Sequence, residues 1–147
     1  MKRALTSLLA GVLTLAPATQ AAEAPSFRNT IQPILTRYGC AMGACHGAAA
    51  GQGGFRLSLR GFDDEGDWLS ITRSANGRRL TLEDPARSLF LLKAVKAVPH
   101  KGDKRFEVNS PEYKAIVDWI AAGAPGPKAD DPRIVSLSVA EPHLVTQ

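Results

Sequence analysis

The chain of 147 residues has two cysteines, Cys40 and Cys45, and His46 directly follows the second. Two thiols at short spacing with an imidazole attached are the sequence sign of covalent haem attachment. Each thiol adds across one vinyl group of the porphyrin, and the two thioethers fix the chain along one edge of the ring. The next residue then lies under the macrocycle, where an imidazole nitrogen reaches the iron. Gly47 lets the backbone turn away with no side chain striking the ring. The usual spacer is two residues and here it is four, Ala41 to Ala44. All four are small or unbranched, so the longer loop can bulge outward while both sulfurs reach their vinyls.

Three other arrangements use the same residues. Cys40 and Cys45 can form a short disulfide, which an exported protein permits but which has no use for His46. They can remain free buried thiols. They can also join His46 and a distant histidine around zinc, although adjacent ligands are awkward on one tetrahedral ion.

The rest of the chain sets bounds on these choices. Lys2 and Arg3, the apolar run Leu5 to Ala16, and small residues at Thr19-Gln20-Ala21 read as a signal peptide over residues 1–21. The run falls short of the ~20 residues that a bilayer span needs, so no stable membrane span is expected after signal removal. The protein is expected to be periplasmic or otherwise exported, where thioether-linked haem is installed. Without Lys2 and Arg3 the formal charge drops from +4 to +2, and no dense basic footprint for nucleic acid exists. No nucleophile-elbow pattern surrounds a serine. The acids Asp63, Asp64, Glu65 and Asp67 lack EF-hand spacing and suit a helix opening instead.

The elements that must position the motif are helical. Ser26 caps a first helix running to Tyr38, with Phe27, Ile31, Ile34 and Leu35 at helical spacing and a kink or restart at Pro33. Phe55 to Leu59 alternates and reads as a short extended piece or a loop. Asp63 or Asp64 opens a short helix with Trp68, Leu69 and Ile71, and Asn76-Gly77 marks a turn. Asp84-Pro85 predicts a helix to about Val95 that buries Leu89, Phe90, Leu92 and Ala94. Ser110-Pro111 opens the last helix, with Tyr113, Ile116, Val117, Trp119 and Ile120, which Gly123 and Pro125 stop. Lys128 to Pro132 reads as a polar linker, and Ile134 to Val139 alternates like a strand.

With the helices in this order the chain resembles a cytochrome c domain, and more narrowly the planctomycete-type cytochrome c-like domains of large exported bacterial proteins. The residues that carry the resemblance are Ile31-Gln32-Pro33-Ile34-Leu35, Cys45-His46-Gly47, Gly53-Gly54-Phe55-Arg56-Leu57, Pro85-Ala86-Arg87-Ser88-Leu89 and the run Trp119 to Pro125. It implies an all-α fold, a small helical domain over residues 22–127 wrapped around one covalent haem c. The tail, 128–147, is then a linker and the first strand of a following Ig-like domain. Family members often place an axial methionine in the loop before the last helix, and here that position reads Val98. His100 is the natural substitute, which gives a bis-histidine iron with His46; the alternative is an ordinary loop histidine. Met42 is a weaker candidate, since it lies in the attachment loop on the His46 side, and His143 falls in the tail. Arg78, Arg79, Lys101, Lys104 and Arg105 are candidates for propionates or for a redox partner protein. The expected function is single-electron transfer without catalysis. The other classes are an open iron that reduces peroxide or binds a gas, and a haem-free disulfide-linked interaction module.

Overall fold

The computed structural model describes residues 23–138. The expected signal peptide, the end of the expected strand and His143 lie outside the described residues. Within them the protein is all-α, with four α-helices joined by turns and short 3-10 segments.

The first helical segment starts as expected, with the Ser26 hydroxyl accepting the Asn29 N–H at 3.1 Å. Phe27–Ile31 forms a π turn, and α1 follows over Gln32–Arg37. The cause is Pro33, which lacks an N–H and so cannot continue the ladder from the preceding turn. The helix restarts at Gln32.

Asp63 caps α2, Asp64–Thr72, by accepting the Gly66 N–H at 2.9 Å. Of the four acids read as a helix opening, Asp67 is the exception. It is buried and accepts hydrogen bonds from the Ser58 N–H, the Ser58 hydroxyl (2.8 Å) and the Gln32 amide (3.2 Å). One carboxylate thus joins α1 to the segment that enters α2.

The helix expected from Asp84 to Val95 is shorter. Pro85–Arg87 is a 3-10 turn, and α3 spans Leu89–Ala94. Ser88 interrupts them with an extended backbone, because its buried hydroxyl accepts the Thr81 N–H at 2.9 Å. The break re-aims the apolar face. Leu91 and Ala94 enter the core, whereas Leu89, Phe90 and Leu92 are half-buried.

α4, Pro111–Ala121, is capped by Ser110 and buries Ile116, Trp119 and Ile120. Trp119 meets Phe27 with ring centroids 5.6 Å apart, and Ile31, Leu35, Leu57, Ile71 and Leu91 complete the core. Each such side chain contributes about 1.5–3 kcal/mol by leaving water. Gly123 ends the helix at φ +87. The indole N–H groups of Trp119 and Trp68 donate to the carbonyls of Pro125 (2.9 Å) and Ala124 (2.8 Å), which staples the turn after α4.

Lys128 to Pro132 is docked rather than a free linker. Arg28 bonds Asp64, Asp131 and the Lys128 carbonyl, Ser26 donates to Asp131 at 2.9 Å, and Asn29 donates to the Pro132 carbonyl. Beyond it Ile134, Val135 and Leu137 are exposed, and no strand forms among the described residues. Phe55 to Leu59 is likewise a loop carrying one isolated bridge, Gln52 to Phe55. No helix of the described residues is long and apolar enough to cross a membrane.

Candidate functional site

The cysteine loop hangs from the end of α1. The Leu35 carbonyl accepts the Cys40 N–H at 2.8 Å, and the Cys40 carbonyl accepts the His46 N–H at 3.0 Å. The Met42 carbonyl accepts from both Cys45 (2.9 Å) and Gly47 (3.0 Å). The four-residue spacer therefore has two parts. Ala41 turns into the core and its carbonyl accepts the Arg60 N–H, whereas Met42, Gly43 and Ala44 bulge into solvent. Gly47 has a reason the sequence did not show: a Cβ there would sit 2.4 Å from the Ala41 carbonyl oxygen.

Both thiols are free and half-buried. Burial pushes the Cys40 thiol up to about 11, with the Arg105 charge opposing and Cys45 adding to the rise. Arg105 reaches this loop from the far side, donating to the carbonyls of Gly102 and Tyr38, with Nη2 3.9 Å from the Cys45 sulfur.

His46 is held twice by the segment that follows it. Its carbonyl accepts the Leu57 N–H at 2.8 Å, and its Nδ1 lies 3.0 Å from the Phe55 carbonyl. The Phe55 ring packs on the imidazole at 4.4 Å between centroids. Gln52 and Phe55 exchange both backbone hydrogen bonds, which sets that carbonyl's position. Gly51 is required in this turn, because a Cβ would meet the Phe55 carbonyl oxygen at 2.3 Å and φ is +64. Burial holds the His46 pKa below the usual histidine range, against the opposing pull of the Phe55 carbonyl.

His100 stands on the loop between α3 and α4. Its Nδ1 lies 2.9 Å from the Asp103 carbonyl, and its own carbonyl accepts the Asp103 N–H at 3.0 Å. A pair between Lys96 and Asp103, and an Arg105 N–H to Ala94 carbonyl bond of 2.7 Å, close the loop.

These two loops bring the histidines together. The His46 and His100 rings lie 6.3 Å apart between centroids, and their planes differ by 7°. In each ring a backbone carbonyl takes the Nδ1 proton, which leaves the lone pair on Nε2. Two stacked imidazoles, each with Nδ1 near a carbonyl, beside two free thiols are the groups that a covalent haem would use. Among the described residues no three His, Cys, Asp or Glu side chains gather as a chelating group. Met42 is solvent-exposed on the bulge.

No family model, curated protein or solved structure matches the chain.

The candidate cations divide. Arg78, Lys101 and Lys104 are exposed, and Lys104 pairs with Glu107. Arg79 and Arg105 turn inward. Sequence reasoning missed Phe55 and Asp103 as the partners of the two histidines. Both act through backbone carbonyls, which every residue type possesses. The glycines from Gly51 to Gly54 were the available signal, since they mark a chain that doubles back.

Proposed function

We propose that this chain is an exported electron-transfer domain that binds one haem c, through thioethers at Cys40 and Cys45 and axial bonds from His46 and His100. The observation that supports it is the pairing of two near-parallel imidazoles at 6.3 Å, each with Nδ1 engaged by a carbonyl. When bound, the haem would supply a one-electron couple, with His46 and His100 as the residues that would hold its iron.

The chain's own residues orient and shield. The Phe55 and Asp103 carbonyls hold the Nδ1 protons and so keep Nε2 of both rings as acceptors. The Phe55 ring covers His46 and excludes water from that side. Backbone hydrogen bonds close both loops, so little rearrangement accompanies a change of charge at the site. That rigidity suits electron transfer. The electron donor and acceptor are other proteins.

The test is an absorption spectrum, oxidised and reduced, of protein matured in a host that attaches haem. The expected result is a low-spin spectrum that shifts slowly on adding cyanide or carbon monoxide, with pigment that stays on the polypeptide through acid–acetone extraction. A rapid shift transfers the protein to the open-iron class. Colourless protein, two hydrogens lighter than its sequence mass, makes it a disulfide-linked module instead.

A further inference from the structure

Arg79 is 5% exposed, and among the described residues no carboxylate pairs with it. A buried guanidinium without a counter-charge is costly, so its surroundings must supply what a carboxylate would. Carbonyl oxygens do so. Nη1 donates to Ser70 (3.0 Å) and Ser74 (2.9 Å), and Nη2 donates to Gly54 at 2.8 Å. Ser70 lies in the last turn of α2, where the helix dipole favours a cation.

The third bond matters for the site. Gly54 precedes Phe55, and the Arg79 guanidinium carbon lies 4.6 Å from the centroid of the Phe55 ring. That same Phe55 packs on His46 and holds its Nδ1 proton. Arg79 therefore grips the turn that orients the proximal imidazole, from its backbone and from its ring face.

We propose that Arg79 is a positioning residue for His46 and sets the potential of the site, its buried charge favouring the reduced iron. This rests on the haem reading above. A fixed positive charge near a metal raises the energy of the more positive oxidation state, and burial weakens its screening.

The test compares Arg79→Gln, which removes the charge, with Arg79→Lys, which keeps it but loses the fork. Two readouts are taken on the full chain: the midpoint potential of the matured protein, and histidine 15N spectra of the protein before haem attachment. For Arg79→Gln the expected result is a downward shift in potential, and a His46 signal that changes from the single Nδ1–H tautomer to a mixture. For Arg79→Lys the potential stays near wild type while the tautomer still loosens. The proposal is overturned if Arg79→Gln leaves both readouts at wild-type values, or if Arg79→Lys lowers the potential as far as Arg79→Gln does. If Arg79→Gln does not fold, Arg79→Lys carries the test alone: a drop in potential or an unmoved tautomer overturns the proposal. Wild-type protein that never takes up haem removes the potential-setting half together with the reading beneath it. The 15N spectra then still decide whether Arg79 holds the imidazole.

Discussion

The His46 N–H donates to the Cys40 carbonyl at 3.0 Å, so the loop carrying both thiols is closed on itself by its own backbone. Gly47 makes this closure tolerable, since its missing Cβ is the space occupied by the Ala41 carbonyl. Gly47→Ala must push backbone against backbone, at a cost of about 1–3 kcal/mol. The expected outcome is a lower urea midpoint before attachment and a reduced yield of haem-loaded protein. An unchanged midpoint would show that the loop is looser than its hydrogen bonds imply.

His100→Ala should remove the second imidazole and turn a low-spin spectrum into one that binds cyanide or carbon monoxide quickly. His100→Met should restore two axial ligands and raise the midpoint potential, because a thioether favours ferrous iron more than an imidazole does. A low-spin spectrum identical to wild type in His100→Ala would remove His100 from the ligand set.

Asp67 holds Ser58 and Gln32 with one buried carboxylate. Asp67→Asn turns an NH2 group toward donors that need an acceptor, and should cost about 1–3 kcal/mol. The measurement is chemical denaturation of the protein before haem attachment, where Asp67→Asn should have a lower midpoint at an unchanged slope.

Arg28 clasps the segment 128–132 to the helical body through Asp131 and the Lys128 carbonyl. Arg28→Ala should cost about 1–2 kcal/mol, because Asp131 keeps its bonds from Ser26 and the Lys128 N–H. Trypsin should cut the wild type after the exposed Arg133, and Arg28→Ala should add a cut after Lys128. No new cut would mean that the remaining bonds hold the segment alone.

The buried Cys40 thiol gives the protein an alkaline limit before haem attachment. Its folded pKa, about 11, lies above the ~8.5 of an exposed thiol, so the unfolded chain loses this proton first. Stability from this group is complete below roughly pH 8.5 and falls as the pH rises toward 11, by at most about 3 kcal/mol. Cys40→Ser should flatten that part of the stability curve. Haem-loaded protein should lack it too, since a thioether does not titrate. A fall of equal size in Cys40→Ser would place the titrating group elsewhere.

The helices were legible because their signals are local. Ser26, Asp63 and Ser110 cap as expected, since a cap needs one side chain and the N–H groups of the next turn. Pro33 announced its restart for the same reason. The helix at Asp84 was misread because Ser88 obeys a distant partner, the Thr81 N–H, over its own sequence preference. Asp67 read as part of a helix opening and Arg79 as a candidate for propionates or a partner, and both became interior ties once the fold brought Ser58 and Gln32 to one and three carbonyls to the other.

By its residues alone this protein set out two thiols, an adjacent imidazole, a second histidine in the loop before α4, and the helices between them. Those are matters of covalent spelling and nearest neighbours. Only the tertiary structure decided that His100 faces His46 at 6.3 Å, and that both rings hand Nδ1 to a carbonyl. Spacing along a chain says nothing of separation in space. The acceptors that fix the tautomers are main-chain oxygens, placed by packing and hydrogen bonding and by no residue type.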